Sequence, residues 1–206
     1  RQPIPVDELA QRQASIQHVV EQTFGLRAGC RALLPAPLYH SAPSLFMQSA
    51  LTVADRIVLQ DRFDPEAVLA AIERHRIDTV YLVPIMYVRL LRLPAEVRAR
   101  YDLSSLRFVA STGAPCAPDV KRAMIDWFGP VIHETYASSE AGMITSISAE
   151  EALARPGSAG RAVLDAQIRI YSEDGKPCAI GEIGLIYVRQ PASPDFTYRG
   201  NEAARQ

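Results

Sequence analysis

Short apolar runs at Arg31–Pro35, Arg56–Gln60, Thr79–Val83, Arg107–Ala110 and Pro130–His133 alternate with stretches of helical spacing. Residues 6–23 carry Leu9, Ile16, Val19 and Val20 at helical intervals, with Asp7 and Glu8 suited to an N-terminal turn. A loop and a helix rich in small residues occupy 38–51. Residues 64–75 give a sharper helix signal: Asp64 is placed to cap, Pro65 suits the first helical position, and Phe63 and Val68 have hydrophobic-staple spacing. Val68, Leu69 and Ile72 form its buried face. Pro84 opens a helix through Leu93. Pro118 opens another, with Val120, Met124 and Trp127 expected inward and Gly129 as its stop. Short buried strands joined by helical crossovers predict an α/β fold, a parallel sheet flanked by helices.

After about residue 147 the pattern changes. Gly157–Gly160, Asp174-Gly175 and Gly181–Gly184 are turn signals. Gln167–Ser172 and Leu185–Arg189 read as strands of a hairpin or small barrel. The expected division is an α/β unit over 1–147 and a small, incomplete β-rich, barrel-like lobe over 148–206.

Composition narrows the function classes. With 48% apolar residues, 22% charged residues and a net charge of −1 over 206 residues, this is an ordinary globular composition. Nothing in it pulls the chain toward nucleic acid. No apolar run is long enough for a transmembrane segment. Cys30, Cys116 and Cys178 are odd in number and show no metal-ligand spacing, so free thiols in a cytoplasmic protein are expected. The start lacks both a secretion-signal pattern and an initiator methionine, and suggests a piece of a longer protein.

The candidate chemistry sits at the carboxyl ends of predicted parallel strands, where open α/β sheets bind ligands. Leu38-Tyr39-His40-Ser41 follows one strand, Ser111-Thr112-Gly113-Ala114-Pro115 a second, and Glu134-Thr135-Tyr136-Ala137-Ser138-Ser139-Glu140 a third. An aromatic ring stacks on a base, a hydroxyl donates to a phosphate oxygen, and a carboxylate holds magnesium. Taken singly, each segment also reads as a polar turn. The 111–115 loop is no Walker loop, because its glycine spacing and lysine are absent. His18, His75 and His133 are read as structural.

Four segments, in order, resemble motifs of the adenylate-forming enzymes: acyl-CoA synthetases, luciferases and nonribosomal-peptide adenylation domains. Leu34–Ser41 resembles "P-L-x-H-x", Ser111–Pro115 resembles "G-G-A-P", Tyr136–Glu140 resembles "Y-G-x-T-E", and Gly181–Arg189 resembles "G-E-x-G-E-I-x-V-R". The resemblance implies a ligase of the acyl-CoA synthetase type. A carboxylic acid attacks the α-phosphate of ATP, and a thiol, that of CoA, then displaces AMP. It implies that Tyr136 stacks on adenine, with Glu134 accepting from its amino group and Thr135 and Ala137 alongside. Gly113, Ala114 and Pro115 would line the base and acyl pocket, Ser139 would bond the α-phosphate, and Glu140 would hold Mg²⁺. His40, in place of an aspartate that binds a substrate ammonium, points to an organic or fatty acid and would border the thiol entrance.

Three departures are visible: Ala137 for glycine, one glycine at 111–113 where two are common, and Ser139 for threonine. The family's phosphate loop, its "T-G-D" segment and its C-terminal catalytic lysine are absent from these 206 residues, so the isolated chain is expected to be inactive or nearly so. An adenylation domain that loads a carrier protein, and a non-catalytic nucleotide-binding scaffold, are the competing readings.

Overall fold

The computed structural model describes residues 17, 20–163, 166–190 and 199–201. Most of the helix expected over 6–23 lies outside them; 20–24 are helical. Strands β1 (Arg31–Leu34), β2 (Arg56–Leu59), β3 (Thr79–Leu82), β4 (Phe108–Ser111), β5 (Ile132–Ser138), β6 (Gly142–Ile147) and β7 (Arg161–Ala162) form one sheet in the order β2-β1-β3-β4-β5-β6-β7. Pairing is parallel from β2 through β5 and antiparallel from β5 to β7. Helices α1 (Ser41–Val53), α2 (Pro65–His75), α3 (Pro84–Leu91), α4 (Ala95–Arg98), α5 (Pro118–Phe128) and α6 (Ala149–Ala154) complete this layer. A separate antiparallel pair, β8 (Gln167–Tyr171) and β9 (Leu185–Arg189), makes the small second sheet. The α/β architecture with a β-rich appendage agrees with the sequence pattern.

A strand covered on both faces reads as a short apolar run, as β3 does. β3 is buried at every position, and Leu33, Val80, Leu82 and Val109 are fully enclosed. Each such side chain contributes roughly 1.5–3 kcal/mol through burial. α2 begins as its sequence signals: the Ala67 N–H donates to Asp64 Oδ1 at 2.8 Å, and Pro65 takes a position that needs no amide donor.

Two expectations need correction. The inward face of α5 is Lys121, Met124, Ile125 and Phe128; Val120 and Trp127 are only half-buried. Strand β5 does not end near His133 but runs on to Ser138, because β6 pairs with its extension. β7, beyond residue 147, bonds to β6 and belongs to the main sheet. Cys30 and Cys116 are buried free thiols, whereas Cys178 is half-buried. Among the described residues no helix is long and apolar enough to cross a membrane.

Candidate functional site

The carboxyl ends of β1, β4 and β5 share one edge of the sheet, since these strands are parallel. The last β4–β5 pair is Ser111 with Glu134, so Thr135–Ser138 project past the end of β4. That overhang is held by β6, with a bulge between Tyr136 and Ala137. Bulges re-aim side chains next to binding sites. A second tie comes from the Thr112 hydroxyl, which donates to the Thr135 carbonyl at 2.9 Å and binds the 112–117 loop to the strand. Thr135 is consequently buried while Tyr136 is 40% exposed.

Between loop and overhang lies a cleft of about 260 Å³. Its walls include Gly113, Ala114, Pro115, Glu134, Thr135, Tyr136 and Ala137, the seven residues expected around the base and acyl chain. Sequence reasoning missed Cys116, Lys121 and Gly157–Ala159, which complete the lining. Gly157–Ala159 had registered only as a turn. Lys121 was hidden by its placement on a helix otherwise read as apolar inward and polar outward.

His40, Ser139 and Glu140 stand outside this lining. Ser139 and Glu140 form the turn between β5 and β6, closed by the Ala141 N–H donating to Ser138 Oγ at 2.9 Å. His40 precedes the first turn of α1, exposed, with its ring 4.4 Å from that of Tyr39. The first segment nevertheless reaches the third: Ser41 Oγ and Ser139 Oγ share a hydrogen bond of 2.9 Å.

Lys121 and Glu134 are the cleft's charged residues, and they neutralise each other. Lys121 Nζ lies 3.0 Å from Glu134 Oε2, with the two side chains only 7% and 12% exposed. Beside them, Cys116 is pushed up to about 11, first by burial and then by the Glu134 charge. The Tyr87 phenol, fully enclosed, is also raised, chiefly by burial.

The Cys116 shift gives a testable pH dependence. Its thiol ionises near 9.0 when unperturbed, so between that pH and about 11 the folded chain keeps a proton the unfolded chain has lost. The associated stability is complete below the lower value and is lost as pH rises toward the upper one. Urea unfolding from about pH 8 to about pH 10 should show a steeper alkaline decline for the wild type than for Cys116→Ala. Parallel declines would contradict the assignment.

A family model for AMP-binding enzymes matches residues 7–194. Over 166 residues the chain is 36% identical to the medium/long-chain-fatty-acid–CoA ligase FadD8 of Mycobacterium tuberculosis, covering 80% of this chain and 28% of that protein. It is 33% identical over 173 residues to 4-coumarate–CoA ligase 1 of Oryza sativa subsp. japonica, covering 81% of this chain and 30% of that one. The chain thus spans less than a third of these relatives. Among solved structures, the amide bond synthetase McbA from Marinactinospora thermotolerans superposes with a TM-score of 0.80 at 30% identity, covering 94% of this chain and 39% of that one. Ordered motifs, sheet topology and family match agree: the chain belongs to the AMP-binding enzymes, the adenylate-forming superfamily.

Proposed function

We propose that the protein carrying this chain is an ATP-dependent ligase that activates a carboxylic acid as its acyl-adenylate and transfers the acyl group to the thiol of CoA. The observation that supports this most is the cleft at the carboxyl edge, where the 113–115 loop and the β5 overhang face each other. At about 260 Å³ it is somewhat smaller than the roughly 300–1,000 Å³ of sites for drug-sized ligands, which suits a base or nucleoside. Its paired charges sum to zero, so it favours an uncharged heterocycle over a triphosphate.

In this reading adenine lies against Tyr136 and the 113–115 backbone, with its amino group toward Glu134; Thr135 and Ala137 flank it. The phosphates extend to the β5–β6 turn, where the Ser139 hydroxyl donates to the α-phosphate. The acid's carboxylate oxygen attacks the α-phosphorus, the α–β anhydride bond breaks, and pyrophosphate leaves. A thiol sulfur then attacks the acyl carbon, losing its proton as AMP departs. Negative charge gathers on the phosphate oxygens, and a fixed donor there acts on the transition state. His40, one residue before the Ser41–Ser139 contact, borders the acyl and thiol side.

The residues present fit Mg²⁺. Among the described residues no cluster of three or more metal-binding side chains exists, but magnesium needs only one or two carboxylates plus substrate phosphate and water. Glu140, exposed on the turn, supplies such a carboxylate. When bound, the ion neutralises phosphate charge.

A second reading concerns only the acceptor. McbA is named an amide bond synthetase, so an amine in place of a thiol is the alternative for the second step. Pyrophosphate–ATP exchange by the full-length protein, with a panel of aliphatic and aromatic acids, tests the first step. Acid-dependent exchange is expected, and exchange with no acid tried would overturn it. Offering CoA, a carrier protein or an amine to the preformed adenylate separates the acceptors.

A further inference from the structure

Lys121 is a cation in a place where folding gives little reason for one. It shares the inward stripe of α5 with Met124, Ile125 and Phe128, and only 5% of the residue reaches solvent. Burying an ammonium is costly unless it is paired and hydrogen-bonded. Even a well-paired buried salt bridge is often matched or bettered in stability by apolar residues of similar volume. The Lys121–Glu134 pair therefore calls for an explanation beyond stability, and its position supplies one: both residues line the cleft.

The ammonium engages Glu134 Oε2. That oxygen is buried and, among the described residues, accepts no hydrogen bond, while the side chain keeps its 12% exposure at the cleft. The other titratable groups facing this carboxylate, Cys116 and Tyr87, are both held neutral by burial. Glu134 is thus held by the ion pair and keeps unfilled acceptor capacity at the cleft.

We propose that Lys121 is a positioning residue that holds Glu134 as a fixed, acceptor-only carboxylate, so that the cleft selects a base bearing an exocyclic amino group over one bearing a carbonyl. This role rests on the reading of the cleft as the base site. An ionised carboxylate accepts and cannot donate, whereas an amide or a neutral acid does both. It therefore welcomes the adenine amino group and repels the carbonyl oxygen that replaces it in hypoxanthine. Pairing with Lys121 also cancels the negative charge that Glu134 alone would set against the nucleotide's phosphate.

The test is calorimetric binding of AMP and IMP to the full-length protein. Wild type should prefer AMP by about tenfold or more, the equivalent of one hydrogen bond to a charged group. Lys121→Met should reduce that preference to about threefold or less, since the carboxyl is then free to turn away from the base. Lys121→Arg should restore it by restoring the cation. Should Lys121→Met fail to fold, the double variant Lys121→Met/Glu134→Gln leaves no unpaired charge and should likewise lack the preference. A wild-type AMP/IMP ratio in either the Met variant or the double variant would overturn the role of Lys121. Wild-type protein that binds neither nucleotide would overturn the base-site reading itself, and the role with it.

Discussion

Replacing Glu140 by alanine is expected to slow acyl-adenylate formation by about two to three orders of magnitude, the usual consequence of removing one preorganised charge-stabilising group from a transition state. The same change should barely move the melting temperature. Glu140 is exposed on the β5–β6 turn, and surface charge contacts contribute at most about 1 kcal/mol. That separation between activity and stability is what marks a ligand-binding carboxylate. Glu140→Asp, which keeps the charge on a shorter arm, should retain more activity than alanine, and Ser139→Thr should be mild because the hydroxyl survives. Pyrophosphate exchange measures all three. Activity within about threefold of wild type for Glu140→Ala would remove the carboxylate from the phosphate end of the site.

The second large effect is structural and acts at the other wall of the cleft. Gly160 has φ +90°, and a Cβ there would lie 1.9 Å from the Ser146 carbonyl oxygen and 2.8 Å from Ile147 Cβ. Ser146 belongs to β6 and pairs with Arg161 of β7, so this clash is with backbone that cannot swing aside. Overpacking and a disfavoured φ each cost about 1–3 kcal/mol, so Gly160→Ala should destabilise by about 3 kcal/mol or more. For a chain of this size that lowers the melting temperature by roughly 6–12 °C. Because 157–159 line the cleft immediately before this glycine, AMP binding should weaken as well. A melting shift under about 2 °C would show that β7 peels from β6 without cost.

These two positions also illustrate what was legible beforehand. The α/β order followed from four-residue apolar strands such as Thr79–Leu82, and from end signals as local as Asp64 and Pro65. Short-range physics decides such features, so a single sequence carries them. The overhang of β5 was less visible because Thr135–Ser138 lack the apolar run of a core strand, and Thr135, Tyr136 and Ala137 line the cleft. Its strand character comes from β6, a partner that closes only after the turn at 139–141. Lys121 was hidden for a related reason. A lysine inside an apolar stripe makes sense only beside Glu134, thirteen residues later and on a different element. Gly157–Ala159 joined the site through a turn whose glycines announce a bend and say nothing of what the bend encloses.

The relatives frame the substrate question without closing the range. One is named for medium- and long-chain fatty acids and another for 4-coumarate. The acid panel proposed for the exchange assay therefore includes an aliphatic and an aromatic member. The fold places His40 and Tyr39 together on the approach to Ser41, and substitutions there should alter acceptor or acid preference before they alter nucleotide binding.

The most direct measurement is a crystal structure of the full-length protein with AMP. The account predicts adenine inside the cleft, against Tyr136 and the 113–115 loop, with its amino group within hydrogen-bonding reach of Glu134 and its phosphate toward Ser139. A base bound elsewhere, with Tyr136 and Glu134 facing an empty cleft, would contradict it.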